Sequence, residues 1–231
     1  AESWYNEKQK ILCGVSGDAQ SDLFTLCIFL PLSAAKEGVR SKMERAQALE
    51  LLAESPIIAS VKDDKGFAAA LKSDVSVMFL LYGNMLTVKD LVQRAHAAGK
   101  AIFVHLDLIE GLSAKEICVD FIAQQTAADG VISTKSPLTK RAKALGLVSI
   151  QRFFLLDSMA IQNIERHLSE DTSDLIEVLP GLMPKIIRRV RQSAGKPVIA
   201  GGLIMDKEDV TGALGAGAIA VSTTNPAVWK M

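Results

Sequence analysis

From Pro56 onward the chain alternates short apolar runs with longer amphipathic segments, eight times in succession. That alternation is the mark of βαβ units, and parallel strands need a crossover long enough to hold a helix. The spacing predicts strands at 57–61, 75–81, 101–106, 130–133, 148–152, 175–179, 198–200 and 219–222. Eight strands is the number that closes a compact (β/α)8 TIM-type barrel, and 231 residues suits one such α/β domain.

Local signals fix the direction of the units. Ser113 followed by Glu116 has capping-box spacing and predicts a helix over 114–125. Gly99, Gly146, Gly195 and Gly217 each stand where a left-handed residue would close a helix before the next strand. Pro137, Pro184 and Pro226 follow strand ends, where a missing N–H suits the first helical turn. A doubly wound open sheet is the competing architecture, but no GxGxxG follows the first strand.

Charge and cysteine usage narrow the function classes. Lys+Arg and Asp+Glu balance at 26 each, so net charge gives no support for capture of nucleic acid or an acidic membrane. Cys13, Cys27 and Cys118 are widely separated and show neither CxxC nor Cys/His ligand spacing, which argues against a disulfide framework and a metal site and for a reducing, cytoplasmic setting. The longest apolar run, 23–32, is about half the length that spans a bilayer.

In a barrel the chemistry sits at the C-terminal strand ends and in the loops that follow them. The most specific signal is the pair Gly201-Gly202 after strand seven and Ser222-Thr223-Thr224 after strand eight, the usual phosphate position. Glycine lets backbone N–H groups approach phosphate oxygens, hydroxyls add donors, and the next helix N-terminus adds a favourable dipole. Around the same rim stand Lys62, Asp107, Ser133, Thr134, Lys135, Arg152 and Glu177, which would suit a small polyol with a phosphate at one end. Arg152 and Glu177 lie among Ile150, Phe153, Ile176 and Val178, where an uncompensated charge is costly, so they are expected to pair with each other or with a ligand.

His105, two residues before Asp107, reads as a neutral core histidine one layer below the rim. His96 and His167 read as surface positions on helices, and Cys118 as a mid-helix packing residue. Two stretches carry basic residues with no acid among them: Lys140, Arg141 and Lys143 in one, Lys185, Arg188, Arg189 and Arg191 in the other. They are the candidate RNA contacts, although no RRM, KH or helix-turn-helix pattern accompanies them.

Seven ordered segments carry a family resemblance: SPIIASVKD at 55–63, VHLDLIEGL at 104–112, DGVISTK at 129–135, IQRFFLLDS at 150–158, IEVLPG at 176–181, IAGGLI at 199–204 and AVSTTN at 220–225. Over about 51–231 the chain resembles the glycerol-3-phosphate responsive antiterminator family. The resemblance implies a non-enzymatic regulator with no cofactor. It would bind glycerol 3-phosphate as effector and act on leader mRNA of glycerol-utilisation genes. The RNA partner follows from the resemblance alone. Residues 1–50 depart from the pattern, and Met43 opens an amphipathic lead-in of the kind a family member would start with, so 1–42 reads as either a lineage-specific extension or translated upstream sequence, which the barrel does not need. The rival reading is a barrel enzyme, an isomerase, aldolase or synthase, acting on a phosphorylated triose or polyol. Association into a homo-oligomer is a further expectation.

Overall fold

The computed structural model describes residues 43–157, 159–162, 164 and 171–231. Its strands are β1 (Ile57–Val61), β2 (Val77–Leu80), β3 (Ala101–His105), β4 (Gly130–Ser133), β5 (Val148–Phe154), β6 (Leu175–Leu179), β7 (Val198–Gly201) and β8 (Ala220–Thr223). They pair in parallel in chain order, and β8 returns to β1 through Ile58 opposite Ser222, closing a TIM-type (β/α)8 barrel. The described helices are α1 (Arg45–Glu54), α2 (Asp64–Leu71), α3 (Val88–Ala97), α4 (Ile117–Gln125), α5 (Ser136–Ala144), α6 (Pro184–Ala194) and α7 (Lys207–Gly215). Among the described residues no helix is long and apolar enough to cross a membrane. The apolar run 23–32, Cys13, Cys27 and His167 lie outside the described residues.

Several expected boundaries move for local reasons. β5 runs on to Phe154 because Phe153 and Phe154 continue the ladder opposite Val178 and Leu179. β3 ends at His105, and Leu106–Leu108 turns into a 3-10 helix. The capping box at Ser113 does not form: the Ser113 N–H donates to the Cys118 thiol, whose S–H donates back to the Ser113 carbonyl, and α4 begins only at Ile117. Cys118 therefore ties the first turn of α4 to its entry loop. The four glycines expected to close helices all have positive φ, from 60° at Gly195 to 100° at Gly217. Pro137 and Pro184 open α5 and α6 as expected, whereas Pro226 enters a turn before a 3-10 helix, Val228–Lys230.

Strand alternation divides the barrel interior into levels. The lower level is apolar, built from Ile58, Val77, Phe79, Phe103, Ile132, Ile150, Leu175 and Ile199, with Phe79 and Phe103 meeting edge to face at 5.8 Å. Gly130 makes room for Phe103: a Cβ there would lie 2.6 Å from the ring and 2.4 Å from the Val148 carbonyl. Ala48 and Leu52 of α1, with Met43, pack onto this cluster and close the floor. Two residues further along their strands come Ser60, His105, Arg152, Glu177, Gly201 and, above Ala220, Ser222, while Leu81 and Thr134 stand just past the ends of β2 and β4. The upper level is polar because the same faces that supply the core below supply these side chains above.

The floor corrects one expectation. His96 is buried, because Val88, Leu91, Val92, Ala95 and His96 share the inward face of α3 at helical spacing. Its Nε2 lies 2.9 Å from Asp129 Oδ2. The Asp129 carboxylate also accepts the backbone N–H groups of Met43, at 3.0 Å, and Ile102, at 2.9 Å. A buried carboxylate satisfied from three directions locks α3, β3 and the lead-in to α1 together.

Candidate functional site

β6, β7 and β8 deliver the centre of the site. Glu177 is fully buried, and its Oε2 accepts Arg152 Nε at 2.6 Å. Register explains the pairing, since Arg152 and Glu177 are direct partners on adjacent strands. The other oxygen, Oε1, accepts Ser222 Oγ at 2.5 Å. Gly201 lies between them on β7, and a Cβ there would sit 2.5 Å from Ser222 Oγ and 2.6 Å from Glu177 Oε1. The expected Arg152–Glu177 pair is therefore present, within a network that requires glycine at 201.

Above this network opens a cavity of about 250 Å³. Its wall joins Arg152, Glu177 and Ser222 to Gly202, Thr223 and Thr224, so the two phosphate-loop signals and the buried pair share one space. Gly202 turns the β7 loop with φ 76°. Asn225 ties the two loops, donating from Nδ2 to the Met205 carbonyl at 2.8 Å. Two of the expected hydroxyls are already engaged: Ser222 with Glu177, and Thr223 Oγ1 with the Ile204 carbonyl at 2.8 Å. Thr223 also accepts Trp229 Nε1 on its carbonyl, which anchors the C-terminal 3-10 turn under the loop. Thr224 is the exposed hydroxyl of the three.

Other rim residues gather elsewhere. The Asp107 carboxylate takes the Thr134 N–H at 2.7 Å and the Ser133 and Thr134 hydroxyls at 3.1 Å, with Lys135 Nζ at 3.6 Å. This cluster staples the β3 and β4 loops and stands apart from the wall of the main cavity. Burial alone would raise the Asp107 carboxyl, but the Thr134 N–H, then the neighbouring His105, then the two hydroxyls bring it below its ordinary value. Lys62 lies in an adjoining cavity of about 170 Å³ together with Lys65. Ser60 and Thr224 border both cavities. The buried Ser60 was not singled out in the sequence, although its position two residues after Ile58 on β1 carried the signal.

His105 is buried between these groups, with Nδ1 3.9 Å from Asp107 Oδ2. Burial, and after it the Arg152 guanidinium, push it down to about 3 despite the pull of Asp107. From the sequence a neutral, hydrogen-bonded core histidine is expected, whereas the buried Nδ1 has no hydrogen-bond partner among the described residues.

The basic stretches differ from each other in space. Arg141 pairs with Asp120 of α4 at 2.6 Å, and Lys143 pairs with Asp171 at 2.6 Å. Lys143 and Lys196 together hold the Asp171 carboxyl down to about 2. Acid-free in sequence, this stretch is neutralised by its neighbours, with Lys140 left exposed. Along α6, Lys185, Arg188, Arg189 and Arg191 are exposed on the outer wall.

Comparison with known proteins agrees with this architecture. Residues 57–229 match the family model described as glycerol-3-phosphate responsive antiterminator. A protein of Escherichia coli strain K12, known as the uncharacterized protein YgcP, is 43% identical over 183 residues, covering 79% of this chain and 96% of its own. The crystal structure of a glycerol uptake operon antiterminator regulatory protein from Listeria monocytogenes is similar at a TM-score of 0.73 and 35% identity, over 75% of this chain and 94% of that one. A glycerol uptake operon antiterminator-related protein from Thermotoga maritima follows at 0.69 and 32%, over 77% and 99%.

Proposed function

The chain belongs to the glycerol-3-phosphate responsive antiterminator family, and from that premise we propose that it binds glycerol 3-phosphate in the cavity above Glu177 and acts in that state on leader RNA of glycerol-utilisation genes. One observation carries the ligand half: a single cavity of about 250 Å³ joins the Gly202 and Thr224 loops to the Arg152–Glu177 pair. That volume suits a three-carbon phosphate and is small beside the 300–1,000 Å³ common for larger ligands.

In this reading the phosphate lies against the loop backbone at Gly202 and Thr224. Ser222 and Thr223 shape the loop, because their hydroxyls serve Glu177 and Ile204. The ligand hydroxyls point down to Glu177, whose carboxylate retains acceptor capacity beyond its two present bonds, and to the guanidinium of Arg152. The pair meets the polar end of the ligand as a neutral unit, so the phosphate charge is balanced by loop N–H dipoles and by Lys62 and Lys65 nearby.

Titration calorimetry tests the proposal. Glycerol 3-phosphate should bind at least tenfold tighter than glycerol, about 1.4 kcal/mol, and bound protein should retain leader RNA on a filter at moderate salt. Equal affinity for both ligands would overturn the phosphate assignment. Turnover of a triose or polyol phosphate without RNA binding would instead favour a barrel enzyme.

A further inference from the structure

Among the described residues, eleven large hydrophobic side chains stand exposed. Ten of them lie between a strand's C-terminal end and the first turn of the following helix, and the eleventh is Met231 at the chain end. The αβ loops at the opposite face supply none of these. A barrel that only had to be soluble would have no reason to place its apolar surface on the mouth.

Six of the ten form one arc: Phe154 and Leu156 and Met159 after β5, Leu182 after β6, Leu203 and Met205 after β7. Their strands are neighbours in the barrel. The loops are joined as well, since the Leu155 N–H donates to the Leu179 carbonyl at 2.7 Å and the Gly181 N–H to the Gly202 carbonyl at 3.1 Å. Leu156 is 86% exposed and Leu203 65%. Taking about 200 Å² for a fully exposed side chain of this size, the six present roughly 700 Å². That exceeds the roughly 300–600 Å² of the largest patch on a typical monomer and approaches the roughly 800 Å² that each partner contributes to a standard interface.

Backbone conformation points the same way. Leu203 has φ 63°, a left-handed conformation that strains a branched residue and suits glycine. Here the strain serves to hold a leucine out in solvent, with no compensating burial in the described chain. The acids beside the arc are occupied locally: Asp157 accepts the Ala160 N–H, Asp206 the Asp209 N–H, and Asp209 the Met205 N–H. No lysine or arginine falls within 153–160, 179–184 or 202–206.

We infer that this arc is the contact face for a second copy of the chain, which docks across the mouth at β5, β6 and β7. An area of roughly 700 Å² a side falls in the standard interface class, and the apolar character with Phe and Met suits the core of such a contact. The chain carries no net charge, so two copies approach without long-range repulsion. Nucleic acid fits poorly, because the arc has one aromatic ring and no cation. A two-fold contact would set the same residues against themselves, and Leu203 and Met205, which also line the main cavity, would close over it.

Sedimentation equilibrium of the full chain across about 1–100 µM, a range that brackets ordinary dimer affinities, tests the inference. The wild type should be dimeric at the upper end. Leu156→Glu should raise the dissociation constant at least tenfold. Leu203→Gly should also weaken the dimer while leaving the thermal midpoint unchanged or higher, because glycine relieves the strained backbone. A wild type that stays monomeric throughout, or a dimer whose dissociation constant neither substitution changes, would overturn it.

Discussion

Glu177 on β6 reaches past Gly201 on β7 to accept a 2.5 Å hydrogen bond from Ser222 on β8, spanning three strands with one side chain. The contact exists because β7 has no side chain at that level, and the polar roof of the barrel core is organised around the gap.

Gly201→Ala should therefore disturb the network directly. The new Cβ would lie within 2.6 Å of both partners, so the substitution is expected to cost about 1–3 kcal/mol in urea denaturation, as overpacking does. Gly202→Val acts differently: its Cβ would approach only the flexible Leu179 side chain at 3.3 Å, although the φ of 76° adds strain. We expect it to remain folded and to lose glycerol 3-phosphate affinity in calorimetry. Full affinity in Gly202→Val would show that the phosphate does not lie against this loop.

The Arg152–Glu177 pair offers a double-mutant cycle. Arg152→Met leaves a buried carboxylate with Ser222 as its remaining hydrogen-bond donor among the described residues, and should cost about 3–5 kcal/mol. Adding Glu177→Gln removes the uncompensated charge and should recover part of that loss. Additive effects in equilibrium denaturation would mean that the two side chains do not act as a pair.

His105 sets a pH dependence whose sign follows from its depressed value. The unfolded imidazole takes up a proton near pH 6.5, whereas the folded one resists until about pH 3. The unfolded state binds more protons in that window, so this contribution is intact above about pH 6.5 and is lost as pH falls, by up to about 1.4 kcal/mol per unit. Denaturation midpoints measured from pH 7 to pH 4 should fall more steeply in the wild type than in His105→Gln. Parallel curves would remove His105 as the source.

For RNA, α6 is the surface to test. Replacing Lys185, Arg188 and Arg191 together by alanine should weaken leader RNA binding and flatten its salt dependence by roughly two units of slope, with ligand affinity unchanged. Arg141→Ala should change little, because its charge is already matched by Asp120. The reverse ranking in filter binding across a salt series would move the RNA face to α5.

Much of the fold was legible because buried parallel strands are written as apolar runs and their helices end on glycine. The ranges 57–61, 130–133 and 175–179 match β1, β4 and β6 residue for residue. Alternation then carried the pocket: Arg152, Glu177, Gly201 and Ser222 stand two residues beyond core positions on their strands, so their convergence follows from period two alone. Ser60 obeyed the same rule and could have been found by it.

What the linear pattern left open depends on groups brought together from distant segments. Ser113 and Glu116 had capping-box spacing, but the Cys118 thiol competes for the Ser113 backbone. Ser222 and Thr223 were read as phosphate donors, yet their hydroxyls face Glu177 and the Ile204 carbonyl. Lys143 has no acid within its own helix but meets Asp171 across the surface, and His96, polar on a polar helix, turns inward to Asp129. Hydrophobic periodicity belongs to each element separately and so determined which strands and helices form and which faces they bury. Hydrogen bonds and ion pairs belong to pairs of elements, and which polar atoms remain available to a ligand was decided only when barrel closure set β8 beside β1 and Glu177 within reach of Ser222.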